Sequence, residues 1–129
     1  MKSHDALAAS PCASVVVITS TSGHLGFRNS SAYAMSKIAL TGLVRSLAVE
    51  WAGHPVRVSA VAPAIVPTAM NAEVRKQAGY LDKKLEGIPL GRVIEASEVA
   101  GAVAFLAGPR SSGITGATLN VDGGAIVMG

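Results

Sequence analysis

The sequence has a single cysteine, few aromatic residues and no long apolar run. Cys12 cannot form an internal disulfide, and a lone thiol is typical of a reducing compartment. Aromatic residues make up 4% of the chain, which suits helices packed closely on a sheet better than an aromatic-rich β-sandwich. The longest dense apolar run, residues 15–18, is far too short to cross a bilayer. Residues 1–10 contain no apolar signal segment, so we expect a cytoplasmic protein without a membrane partner.

The charged residues and histidines do not form a pattern that binds nucleic acid or metal. The 11 basic and 8 acidic residues give a net charge of +3, and the densest basic segment, residues 75–86, also contains acidic residues. Because nucleic-acid binding needs a one-sided basic stripe, we expect a solvated face and no nucleic-acid partner. His4 and His54 have no partners at metal-ligand spacing, so we expect no metal site. His24 could touch a substrate, but the preferred interpretation is an exposed loop residue.

Apolar segments alternate between strand and helix patterns along the chain. Helices are predicted over residues 32–52 and from about residue 96 to Gly108-Pro109, with one or two short helices within residues 67–92. The helical stripe over residues 32–52 contains Leu40, Leu43, Val44, Leu47 and Trp51. Strands are predicted at residues 15–18, 56–62 and 117–121. This order predicts a parallel sheet with helices on its faces.

A sheet of about three strands is small for this class of fold. Doubly wound α/β folds normally contain two βαβ halves, so the sequence predicts a partial doubly wound parallel sheet with flanking helices. The first strand should then have one unpaired edge. Uncharged, β-branched edges of this kind are covered in natural proteins, so we expect residues 1–129 to be part of a larger sheet.

Ser20, Tyr33 and Lys37 are the residues most suited to chemistry. Tyr33 and Lys37 lie four residues apart on one helix face, where an ammonium ion beside a phenol favours the phenolate form. Such a phenol can donate or accept a proton near neutral pH. Ser20 follows the first strand, where ligands bind in open α/β sheets, and its hydroxyl could hydrogen-bond a carbonyl oxygen. A Tyr-x-x-x-Lys pair also occurs on ordinary exposed helices, so the pair alone does not identify an enzyme.

Longer segments resemble the short-chain dehydrogenase/reductase family. VVVITSTSG, followed after a loop by YAMSK, resembles its active-site segment. The family's next strand and loop resemble the segment VRVSAVAPAIVPT, and its next helix resembles IPLGRVIEASEVAGAVAFLAG. Its C-terminal strand resembles ITGATLNVDGG. The segments follow the family's order over about residues 14–124. The resemblance implies a Rossmann-like fold and hydride transfer between NAD or NADP and a small carbonyl or alcohol substrate.

The resemblance also implies a role for individual residues. Tyr33 would be the general acid/base, Lys37 would assist it and hold the nicotinamide ribose, and Ser20 would polarise the substrate carbonyl. Val66, through its backbone, and Thr68 would contact the nicotinamide carboxamide. Pro63 and Ala64 complete the expected cofactor-binding segment, and residues 71–92 match the family's variable substrate lid in position.

The sequence departs from the family pattern at three places. No glycine-rich phosphate-binding turn follows a strand, so residues 1–129 are expected to be the C-terminal catalytic half without the dinucleotide-binding half. The helix that carries the family's active-site asparagine can be present only as a remnant in residues 1–10. Ala64 replaces a glycine, and its methyl group is expected to restrict the backbone beside the cofactor.

A second interpretation is a non-catalytic oligomerisation or interaction fragment. The unpaired strand edge could pair with another chain, and the helix over residues 32–52 could pack against its copy in a homo-oligomer, as that helix does in family oligomers. The sequence does not choose between NAD and NADP, because the residue that reads the ribose belongs to the other half.

Overall fold

The computed structural model describes residues 2–128, in which three parallel strands lie between helices. The strands are β1 (Ala13–Ile18), β2 (Val56–Pro63) and β3 (Thr118–Val121). The helices are α1 (Lys2–Ala8), α2 (Ser31–Glu50), α3 (Ala72–Arg75), α4 (Tyr80–Leu85), α5 (Ala96–Ala107) and α6 (Ala125–Met128). Single 3-10 turns cover Thr21–Gly23, Ala69–Asn71 and Pro109–Ser111. The predicted α/β class with a partial, Rossmann-like parallel sheet is confirmed.

Strand β2 is the centre of the sheet, which has the order β1-β2-β3. Val17 lies opposite Ala60, and Val61 lies opposite Leu119. All residues of β2 are buried except Arg57, because strands flank both of its edges and helices cover both of its faces. This central strand therefore fixes where the carboxyl ends of its neighbours lie.

Strand β1 has only one neighbour within the part of the chain that the structure describes. The predicted unpaired edge is therefore present. The continuous β-branched run of residues 15–18 is typical of a strand buried on both faces, but this prediction is wrong, since Val15, Val16 and Val17 are half-buried and Ile18 is 43% exposed. A run of β-branched residues indicates a strand, but it does not reveal whether other elements cover that strand.

Helices α2 and α5 cover opposite faces of the sheet. Val44 and Ala48 of α2 pack with Val58 and Ala60 of β2. On the other face, the hydroxyl of Ser14 donates a hydrogen bond of 3.0 Å to the carbonyl of Leu106 in α5. Because alternate residues of a strand point to opposite faces, Ser14 contacts α5 while Val15 and Val17 pack on the α2 side of the sheet.

Some helix positions that were predicted to be buried are exposed in the structure. Leu43 was expected in the buried stripe of α2, but it is 47% exposed, because at about 100° per residue it lies well away from Val44 and Ala48. In α5 the apolar spacing predicts that Val99, Val103 and Leu106 face inwards, with Ala100 and Ala104 packed close beside them. The three larger residues are half-buried or buried, whereas both alanines are exposed.

Arg57 joins β2 to the C-terminal end of α5. Its guanidinium donates hydrogen bonds to the carbonyls of Leu106 (2.8 Å), Ala107 (3.4 Å) and Gly108 (3.1 Å) and to the hydroxyl of Ser111 (2.8 Å). The last carbonyls of a helix lack partners within the helix, and a cation there also faces the negative end of the helix dipole. Arg57 therefore fixes the end of α5 to the sheet.

None of the described helices is long and apolar enough to cross a membrane.

Candidate active site

A cleft of about 640 Å³ opens at the carboxyl ends of β1 and β2. Every residue that the sequence analysis assigned to catalysis or cofactor binding lines this cleft: Ser20, Tyr33, Lys37, Pro63, Ala64, Val66 and Thr68. Helix α2 supplies part of the lining, the segment after β2 supplies a second part, called here the wall after β2, and α4 with Phe27 supplies a third part, called here the roof. The fold thus brings together residues that are separated by up to 48 positions in the sequence.

Ser20 is held with its hydroxyl proton free to donate. The backbone of Ser20 is extended (φ −166°, ψ 152°) and begins the 3-10 turn Thr21–Gly23. Its Oγ accepts a hydrogen bond of 3.1 Å from the backbone N–H of Ser22. The side chain is largely buried, with 8% of the residue exposed. The accepted hydrogen bond orients the oxygen, so the O–H can point to a carbonyl oxygen in the cleft.

Tyr33 and Lys37 lie in the first two turns of α2 and line the same cleft as Ser20. Lys37 Nζ donates a hydrogen bond of 3.1 Å to the carbonyl of Ile18, the last residue of β1, and lies 5.7 Å from the centroid of the Tyr33 ring. An ammonium group has three donors, so two remain for a ligand or for the phenol. Tyr33 is 44% exposed, which leaves its ring accessible from the cleft.

The wall after β2 is held by Asn71, a residue that the sequence analysis left within the variable lid. Asn71 Nδ2 donates to the carbonyl of Val66 at 2.8 Å, and Asn71 Oδ1 accepts from the N–H of Thr68 at 3.1 Å. Arg75 Nε donates to the same oxygen at 2.8 Å. These bonds fix the backbone of residues 66–68 beside the cleft. Asn71 lies three residues after Thr68, at capping-box spacing, and this local pattern is the signal that could have identified it.

Ala64 fits its position without backbone strain. Among the described residues, Asn29 is the non-glycine residue with a positive φ, so Ala64 does not occupy the left-handed region that favours glycine. Its N–H donates to the carbonyl of Val121 at 3.3 Å, which continues the pairing of β2 with β3. The expected restriction by its methyl group therefore does not arise from an unfavourable backbone angle.

The roof of the cleft contains a cation between two aromatic rings, which the sequence analysis did not foresee. Lys84 Nζ of α4 lies 4.2 Å from the centroid of Phe27 and 5.9 Å from that of Tyr80. All three residues line the cleft. Phe27 belongs to the loop after β1, and contacts between residues so far apart in sequence leave no periodic signal.

The remaining candidates lie elsewhere or at the rim. His24 is exposed and does not line the cleft, as its preferred interpretation stated. Met70, whose residue type could line a pocket but more often fills a gap in a core, lines the cleft and is 89% exposed. The rings of His4 and His54, which show no relation in the sequence, lie 5.0 Å apart, but within residues 2–128 they do not belong to a group of three metal-binding side chains.

The comparison with known families agrees with the fold and with the cleft. Residues 1–125 match the family described as enoyl-(acyl carrier protein) reductase, and the chain belongs to the short-chain dehydrogenases/reductases, a family of oxidoreductases.

Individual relatives include a reductase homolog and two dehydrogenases. A tropinone reductase homolog of Arabidopsis thaliana is 45% identical over 120 residues, which are 93% of this chain and 37% of that protein. A galactitol 2-dehydrogenase (L-tagatose-forming) of Cereibacter sphaeroides is 43% identical, over 95% of this chain and 49% of that protein. A gluconate 5-dehydrogenase of Burkholderia cenocepacia, solved with NADP and tartrate, superposes with a TM-score of 0.91 at 28% identity, over 95% of this chain and 48% of that chain. The chain therefore spans half or less of the length of these relatives.

Proposed function

We propose that this chain is the catalytic half of an oxidoreductase that transfers a hydride between NAD or NADP and a small carbonyl or alcohol substrate. The observation that carries the proposal is the convergence of Ser20, Tyr33 and Lys37 on one cleft at the carboxyl end of the sheet. Ligands of open α/β sheets bind at this position. The named relatives are reductases and dehydrogenases, which supports the same reaction class.

Each of the three side chains has a separate task in this reaction. In the reducing direction the Ser20 hydroxyl donates a hydrogen bond to the substrate carbonyl oxygen and stabilises the charge that develops there. The Tyr33 phenol donates its proton to the same oxygen, and the Lys37 ammonium stabilises the phenolate that remains. In the oxidising direction the phenolate removes the proton from the alcohol. When bound, the nicotinamide supplies or accepts the hydride.

The walls of the cleft fit the nicotinamide end of the cofactor. Pro63, Ala64, Val66 and Thr68 line the wall after β2, and Asn71 fixes the backbone there. The backbone of Val66 and the side chain of Thr68 would hold the carboxamide. A glycine-rich βαβ half would supply the pyrophosphate site and choose between NAD and NADP.

The experiment is a complementation assay. The chain is mixed with the separately produced N-terminal half of the galactitol 2-dehydrogenase relative, and oxidation of NADH or NADPH is followed with a panel of carbonyl substrates. We expect activity from the mixture and little from either half, because the cofactor needs both halves for tight binding. NADPH fluorescence, measured with this chain alone, tests whether the cofactor needs both halves. Tight binding by this chain alone would contradict that expectation.

Tyr33→Phe tests the assignment of the general acid/base. The variant should lower the turnover of the mixture by roughly 10²–10⁴-fold while the circular dichroism spectrum stays the same, since only a hydroxyl is removed. Ser46→Ala, which removes an exposed hydroxyl on the same helix outside the cleft, is the matched control and should retain activity. If Tyr33→Phe retained the wild-type rate, the proposed site would be wrong.

A second candidate function, a homo-oligomerisation module, is favoured by the outer face of α2. Met35, Ile38 and Val49 share the side of the helix that faces away from the sheet, and they are 69%, 42% and 79% exposed. Exposed apolar groups of this kind mark interaction surfaces. Light scattering of the chain in solution discriminates the candidates: a monomer at all concentrations would leave only the catalytic proposal.

A further inference from the structure

We propose that Lys84 is a substrate-specificity residue that binds an anionic group, so that the preferred substrates are carbonyl compounds or alcohols that carry a carboxylate. The inference rests on the proposed function, since it names the substrate class of the same cleft. It concerns the roof of the cleft and not the Ser20–Tyr33–Lys37 group.

The charge of the cleft is one-sided. Its lining contains two cationic side chains, Lys37 and Lys84, and no aspartate or glutamate among the described residues. Lys37 already donates to the carbonyl of Ile18. A neutral substrate gains nothing from a second cation in such a cleft, whereas a carboxylate does, because partial exclusion of water strengthens the attraction.

The ammonium group of Lys84 has no conventional partner in the part of the chain that the structure describes. No ion pair or hydrogen bond joins Lys84 Nζ to any of residues 4–128. Its contacts are instead the rings of Phe27 and Tyr80. Aromatic faces attract a cation but leave its N–H donors unused, and the side chain as a whole is half-buried. The rings thus hold the ammonium at the cleft while its hydrogen-bond donors stay available to a ligand.

Lys83 provides an internal contrast one residue away. It carries the same charge on the same helix, but it is exposed and does not line the cleft. The position of Lys83 is explained by hydration of its charge, since an exposed lysine on a helix surface needs no other role. The two lysines therefore separate a general effect of positive charge from an effect of position.

The test measures binding by the 129-residue chain itself, with levulinate as the anionic probe and methyl levulinate as its uncharged counterpart. Amide NMR shifts of Ser20, Thr21 and Ser22 report the occupancy of the cleft. We expect levulinate to bind more tightly than the ester, and Lys84→Gln to weaken levulinate binding about tenfold, as expected for the loss of one charge-assisted hydrogen bond.

Two further variants control this measurement. Lys83→Gln removes the same charge and should leave the levulinate affinity within about twofold of the wild type. Lys84→Arg keeps the charge and should retain most of the affinity. Dispersion of the amide spectrum shows that each variant is folded.

Several results would overturn the inference. One is an equal loss of affinity for levulinate and its ester in Lys84→Gln, because Lys84 would then only hold α4 in place. Another is the absence of any shift at the solubility limit of levulinate. A third is Lys84-dependent binding of inorganic phosphate in preference to levulinate, which would assign the cation to a cofactor phosphate.

Failure of this inference differs from failure of the proposed function. If the complemented enzyme reduces neutral and anionic carbonyl compounds equally well and Lys84→Gln changes neither rate, the reaction class stands and the specificity role is wrong. If levulinate binding depends on Lys84 but Tyr33→Phe retains activity, the anion site stands and the catalytic assignment is wrong.

Discussion

Arg57 and Lys84 are both partly buried cations, but their charged groups have different surroundings. The guanidinium of Arg57 makes four hydrogen bonds to α5, to the residue that follows it and to Ser111. Within the described residues, the ammonium of Lys84 contacts two aromatic rings in the roof of the cleft and has no hydrogen-bond partner. Both terminal nitrogens of the Arg57 guanidinium are used within the fold and stabilise it, whereas the donors of Lys84 have no hydrogen-bond partner among the described residues and can bind a ligand. We therefore expect mutations at the first site to change stability and those at the second to change binding.

The largest expected effect comes from Gly123, which supports the segment that follows α4. Gly123 has φ +61°, and a Cβ there would lie 2.7 Å from Ile88 Cγ2. Gly123→Ala should therefore cost about 3 kcal/mol in the free energy of unfolding, from both the left-handed backbone and the overpacking. Urea unfolding measures this loss. Because the segment after α4 would shift and move Lys84 with it, the levulinate affinity should fall as well. Gly123→Ala is therefore expected to change both stability and binding.

Gly91→Ala is the matched control for Gly123→Ala. Gly91 has nearly the same φ, +63°, but open space surrounds the position of its missing Cβ. It should lose about 1 kcal/mol, the cost of the backbone conformation alone. Equal losses in the two variants would show that Gly123 does not pack against Ile88.

Arg57→Met sharpens the contrast between the two cations. Methionine retains much of the aliphatic stem but removes the guanidinium, so the C-terminal carbonyls of α5 lose a shared donor. The free energy of unfolding should fall by about 2 kcal/mol, measured by urea denaturation, while the levulinate affinity stays unchanged. Arg110→Met is the control, since Arg110 is exposed in the adjacent turn and should change stability by less than about 0.5 kcal/mol. A weaker levulinate affinity in Arg57→Met would show that Arg57 also affects binding and that its role is not confined to stability.

The difference between Arg57 and Lys84 was not predictable from the sequence. Apolar periodicity placed β2 and α2 to within two residues, because local patterns determine which elements form. Spacing and position singled out Ser20, Tyr33 and Lys37, the resemblance implied their roles, and the fold brings them into one cleft. Contacts between distant segments decided the rest: Arg57 reaches residues about 50 positions away, and Lys84 reaches Phe27. The exposure of Leu43 also depends on how α2 is rotated on the sheet, which a set of apolar positions determines only approximately.

Arg92 and Glu98 provide the smallest expected effect, at an ion pair on the surface. The two N–H groups of Arg92 donate to both carboxylate oxygens of Glu98 at 2.8 Å, and the backbone N–H of Glu95 donates to Glu98 Oε2 at 2.8 Å. The hydrogen bonds from Arg92, followed by that from Glu95, lower the pKa of Glu98 from its usual 4.5 to about 2. The pair therefore differs from Arg57, because its charges are satisfied but remain exposed to water.

Because the pKa of Glu98 is lowered in the folded state, the pair stabilises the fold above pH 4.5, and this contribution is lost as the pH falls towards about 2. Arg92→Gln should move the pKa of Glu98 back towards 4.5, which carboxyl ¹³C NMR titration measures directly. In the same variant, the free energy of unfolding should decrease slightly less steeply as the pH falls from 4.5 towards about 2. Lys76→Gln, which removes the exposed Lys76–Glu73 pair, should leave the titration of Glu98 unchanged. An unshifted Glu98 in Arg92→Gln would assign the lowered pKa to the N–H of Glu95 at the start of α5 and not to the arginine.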